Sequence, residues 1–101
     1  MSSDKILAGW KEHVPPEVPL DDVLRVIDER FEKRLPTEGG HYKVFDSRLL
    51  RFRKKFPEYP AECFNGVFHI PTVKGRKVKG RYIDRILELL EIVESMTEKG
   101  L

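Results

Sequence analysis

Val67-Phe68-His69-Ile70-Pro71-Thr72-Val73-Lys74-Gly75-Arg76-Lys77-Val78-Lys79-Gly80, running into a helical pattern at Arg81, decides the fold class. Its first five residues favour a strand, with Phe68 and Ile70 on one face and His69 out of phase on the other. Residues 74–80 read as a basic loop punctuated by Gly75 and Gly80. From Arg81 to about Glu98, Ile83, Ile86, Leu87, Leu90 and Val93 recur at helical spacing, flanked by Tyr82 and Leu89. Glutamates line the opposite face, and Gly100 stands where a helix stops.

Working outward, His41–Phe45 reads as a second strand, opened by a turn over Pro36-Thr37-Glu38-Gly39-Gly40. Lys33–Leu35 is a candidate third strand. Ser3 is placed to cap a first short helix carrying Ile6, Leu7 and Trp10 on one face; Pro15 and Pro16 end it, and Pro19 keeps the connection extended. Asp21 or Asp22 starts a second helix bearing Val23, Leu24, Ile27 and Phe31, its acidic start matching the positive end of the helix dipole. Ser47–Phe56 fits a helix through Leu49, Phe52 and Phe56 and an alternation through Leu50 and Phe52; a short basic helix is the reading adopted. Pro57, Pro60 and Asn65-Gly66 mark the next stretch as loop and turn.

Alternating parallel βαβ units are absent from this order. The expected architecture is α+β, with a small antiparallel sheet of about three strands and helices packed on one face. A chain of 101 residues suits one domain, read as residues 20–98 preceded by an N-terminal helix and Pro-rich connection over 1–19.

Charged residues make up 36 % of the chain, there is no Gln, and Asn65 is the sole Asn, a composition suited to life at high temperature. The lone cysteine, Cys63, excludes an internal disulfide and reads as a small apolar residue. Met-Ser-Ser-Asp does not resemble a secretion signal, and no apolar run approaches membrane-spanning length, so a cytoplasmic protein with no membrane association is expected. The net charge of +2 is unevenly spread: residues 43–81 hold eleven Lys or Arg against three Asp or Glu, whereas both flanks are acidic. A basic centre between acidic flanks points to a polyanion-binding face.

The chemistry-bearing candidates cluster in that centre. Gly39 and Gly40 leave backbone amides open beside His41, whose imidazole can exchange a proton near neutral pH. On spacing alone, a histidine after two glycines is also a common turn residue. His69 is the alternative imidazole, and His13 sits at a helix end. The basic loop ends at a helix start, where free N–H groups and the dipole favour phosphate. With Lys43 beside His41, Lys74, Arg76, Lys77, Lys79 and Arg81 form the candidate nucleic-acid-contacting set; the same cations also read as a solvated loop. Arg48–Lys55, with Phe52 and Phe56 interleaved, is a second basic run. No histidine, carboxylate or thiolate spacing marks a metal site, and no cofactor is implied.

Gly39-Gly40-His41-Tyr42-Lys43, Phe68-His69-Ile70-Pro71, and the Lys79-Gly80 step into a helix bearing Ile86-Leu87 resemble the HicA-type mRNA interferase toxins. The resemblance covers roughly residues 21–93. It implies a double-stranded-RNA-binding-like α-β-β-β-α core, RNA cleavage tied to His41, RNA contacts by Lys74, Lys77 and Lys79, and an antitoxin-like partner. Three features depart from that pattern. An insertion at about 46–65 replaces a tight hairpin, Val73 stands where a second histidine is often found, and an extra N-terminal helix precedes the shared core. The functional expectation is an RNA-binding protein acting as a metal-independent endoribonuclease. The alternatives are a non-catalytic RNA-binding module and a protein-interaction domain on the same fold.

Overall fold

The structure, a computed structural model, describes residues 2–36, 39, 41–57 and 66–98. Gly40, Cys63, Asn65 and Gly100 lie outside them. In chain order the elements are α1 (Ser3–Glu12), β1 (Glu17–Pro19), α2 (Leu20–Arg30), β2 (Lys33–Leu35), β3 (His41–Phe45), α3 (Ser47–Lys55), β4 (Val67–Pro71), β5 (Lys77–Lys79) and α4 (Gly80–Glu98). Strands β2-β3-β4 form an antiparallel sheet, and β1 and β5 pair separately as an antiparallel ribbon. The protein is α+β.

One apolar core joins every layer. Ile83, Ile86, Leu90 and Val93 of α4 meet Val23, Val26 and Ile27 of α2, Ile6, Leu7 and Trp10 of α1, and the inward residues of both sheets. Alternation sets the sheet's contribution. Val44, Phe68 and Ile70 are buried, whereas Lys43 and His69 are exposed. Phe31, just past α2, packs its ring edge-on to Phe68 with centroids 5.1 Å apart.

Three local readings change. The Pro-rich connection and the basic loop each contain a strand, since Glu17, Val18 and Pro19 pair with Lys79, Val78 and Lys77. Val18 and Val78 face each other fully buried between exposed neighbours, and this burial makes ordered strands of short segments rich in proline and lysine. Second, Ser3 does not cap α1. It lies within the helix, buried, with its N–H donating to Glu29 and its hydroxyl accepting from Arg30 Nε at 3.0 Å, which fastens α1 to α2. Hydrogen bonding between Ser3 and Glu29, through the serine side chain foremost and its N–H next, holds the Glu29 carboxyl below its ordinary range against desolvation, with the Arg25 charge adding to it. Third, α2 begins at Leu20, ahead of the two aspartates, and the Leu20 N–H donates to the Arg76 carbonyl at 2.9 Å.

Two backbone positions fix how the basic segment leaves the sheet. Lys74 and Gly75 both have positive φ, +52° and +68°, and the Arg76 N–H returns to the Val73 carbonyl at 3.1 Å. That is a type I′ turn, with a lysine in the left-handed conformation glycine tolerates better. Gly80 then passes so close to the N-terminal segment that a Cβ there would meet the Pro15 carbonyl oxygen at 2.4 Å. The Gly80 N–H donates to the Pro16 carbonyl at 2.8 Å, so the glycine serves a close chain crossing.

Candidate functional site

The register of β3 against β4 sorts the central residues between two faces. Tyr42 opposes Ile70 and Val44 opposes Phe68 on the core side. His41 opposes Pro71, Lys43 opposes His69 and Phe45 opposes Val67 on the other. His41, Lys43 and His69 are all exposed there. Lys33 of β2, paired with Phe45, extends the face and holds its ammonium 5.5 Å from the Phe45 ring centroid. Two imidazoles and two ammonium groups thus share one side of a three-stranded sheet.

His41 also marks the end of the sheet from which the basic turn departs. Its cross-strand neighbour Pro71 is three residues from Lys74, a reach of at most about 11 Å. Lys74 and Arg76 are exposed at this turn. Lys77 and Lys79 belong to the ribbon instead, both exposed, opposite Pro19 and Glu17 respectively. Glu17 therefore sets a carboxylate across from one of the predicted cations. Arg81, in the first turn of α4, lies with its guanidinium 5.0 Å from the Tyr82 ring centroid. Lys79 and Arg81 line an open cleft of about 480 Å³ with His13, Pro15, Pro16 and Asp84. Lys43, His41, Lys74 and Arg76 thus follow one another along the sheet and its turn, while Lys77, Lys79 and Arg81 lie on the ribbon and helix start.

A second polar cluster sits at the far end of β3. Asp46 is completely buried and caps α3. Its Oδ1 accepts from the backbone N–H and the Nε of Arg48, both at 2.9 Å. Its Oδ2 accepts from Arg48 Nη2 at 2.7 Å and from the Glu32 backbone N–H at 3.0 Å. Arg48 further donates to the Arg30 carbonyl and to Thr97 Oγ1 near the end of α4. Ser47 donates through its hydroxyl to Glu32 Oε1 at 2.6 Å. Burial pushes the Asp46 carboxyl up, but the hydrogen bonds from Arg48, its charge and the Glu32 amide outweigh it and hold the group below its ordinary value. The same bond raises Arg48 further.

This cluster was not anticipated from the sequence, although Asp46-Ser47-Arg48 between a strand and a basic helix is a capping signal. It removes Arg48 from the second basic run as a ligand-facing cation. Within that run Leu49 is buried, Phe52 is half-buried, and Phe56 is 42 % exposed while resting on Phe52 at 4.9 Å between centroids. The helix face expected to bury all three therefore buries only its N-terminal part. Among the described residues no three His, Cys, Asp or Glu side chains converge as a metal-binding group, and no helix is long and apolar enough to cross a membrane.

Fold and site together define a small α+β protein that presents a basic, imidazole-bearing sheet face to solvent. Comparison with protein-family models, curated proteins and solved structures finds no match.

Proposed function

We propose that the protein binds RNA and acts as a HicA-like, metal-independent endoribonuclease. One observation carries the reading: His41 and Lys43 stand two residues apart on an exposed sheet face whose neighbouring strand leads directly into the Lys74–Arg76 turn. A proton-transfer group and cations along one chain path suit a phosphodiester. His41 assists the ribose 2′-hydroxyl in attacking the adjacent phosphate, and Lys43 and Lys74 offset the charge that develops on the phosphoryl oxygens. Arg76, Lys77, Lys79 and Arg81 hold flanking phosphates, supplying salt-sensitive affinity with little base preference. A small antitoxin-like protein with an acidic surface fits as the partner that masks this face.

The test is a gel assay of the purified protein with RNA, wild type beside His41→Ala. The variant is expected to bind normally and to cleave about 10²–10⁴-fold more slowly. Undiminished cleavage by the variant removes His41 from the reaction. Salt-dependent binding with no cleavage by the wild type favours a non-catalytic RNA-binding module.

A further inference from the structure

The sheet face that carries His41 holds a second imidazole in fixed relation to it. His69 is the direct cross-strand neighbour of Lys43, and His41 precedes Lys43 by two residues, so the two histidines occupy diagonal positions on one face. Such positions lie about 7–8 Å apart, within reach of side chains that lean toward a common ligand. The core locks this arrangement. Shifting the β3–β4 register by one residue would turn Phe68 and Ile70 out to solvent and bury His69. Burial of Val44, Phe68 and Ile70 therefore keeps both imidazoles and the intervening lysine together.

We propose that His69 is the second acid–base group of the ribonuclease reaction, an inference that rests on the function proposed above. Cleavage by internal attack requires two proton transfers at opposite sides of phosphorus. His41 takes the proton from the 2′-hydroxyl as the 2′-oxygen–phosphorus bond forms. The bond from phosphorus to the 5′-oxygen breaks, and His69, protonated, delivers a proton to that oxygen. The products are a 2′,3′-cyclic phosphate and a 5′-hydroxyl end. One proton is taken and one given, and exchange with water resets the two imidazoles. The in-line path separates attacking and leaving oxygens, which suits two groups on diagonal positions better than a single histidine. Lys43, between them, faces the non-bridging oxygens.

The experiment compares wild type, His41→Ala, His69→Ala and His69→Gln on an oligoribonucleotide and on the same oligomer with sulfur replacing the 5′-bridging oxygen. A thiolate leaves without needing a proton. His69→Ala and His69→Gln are expected to lose about 10²–10⁴-fold on the oxygen substrate with binding retained, and to recover most of that loss on the sulfur substrate. His41→Ala stays slow on both. The wild-type pH–rate profile should be a bell, with His69→Ala losing the fall at alkaline pH. Wild-type rates for His69→Ala on the oxygen substrate, beside a defective His41→Ala, overturn the role of His69 and leave that of His41 standing. A slow His69→Ala without sulfur rescue also overturns it. A wild type that cleaves neither substrate overturns the ribonuclease reading itself.

Discussion

The two ends of β3 carry polar residues used in opposite ways. At its C-terminal end Asp46 is buried, and both carboxylate oxygens are filled by Arg48 and the Glu32 amide. At its N-terminal end His41 and Lys43 stand in solvent with His69 alongside. The first cluster ties α2, α3 and α4 through hydrogen bonds that the folded chain completes by itself. The second lies on the solvent side of the sheet, where its exposure costs little. A perturbed charge pair whose geometry is already complete is accounted for by the fold alone, since structural ion-pair networks also shift carboxyl titration.

Removing the buried acid should have the largest effect on stability. Asp46→Ala takes away the buried carboxylate to which the Arg48 guanidinium is bonded and strips α3 of its cap, and about 3–5 kcal/mol of unfolding free energy is expected to go. Urea unfolding measures it; a loss under 1 kcal/mol would mean that the cluster contributes little. Acid probes the same bond more gently. Because the folded-state Asp46 carboxyl lies below its unfolded value, its contribution is complete above the unfolded pKa of about 4 and is lost as pH falls through the folded one. The urea midpoint of the wild type should therefore hold between pH 7 and 5 and drop below pH 4, more steeply than that of Asp46→Ala; parallel drops would assign acid sensitivity to other carboxylates. The smallest effect is expected at the other end of the strand. Replacing His41 and His69 together by Ala should move the unfolding free energy by no more than about 0.5 kcal/mol, and a larger shift would make that face part of the scaffold.

Much of this architecture was legible because burial imposes a local period. Phe68 and Ile70 alternating with His69 gave a strand with its faces correctly assigned, and the Ile83–Val93 stripe gave α4. The ribbon was not legible. Glu17-Val18-Pro19 and Lys77-Val78-Lys79 are too short to show a period, and their order comes from pairing across most of the chain. The candidate site was half legible for a related reason. Composition located the basic centre, but the placement of His69 against Lys43, and of Lys77 and Lys79 on a different sheet from His41, depends on registers that span the residues between β3 and β4. Arg48 does not stand out within the second basic run, because nothing in a run of Arg and Lys shows which one turns inward to a buried aspartate.

The β1–β5 ribbon also bears on how the protein is made. Residues 17–19 are made about 60 residues ahead of their partners 77–79, a wait of about 3–12 s at common elongation rates. Throughout that interval Val18, and the α1 residues Ile6, Leu7 and Trp10, lack α4, with which they share the finished core. The nascent chain must hold this apolar surface without its α4 cover until that helix has been made, so the ribbon and the core close together.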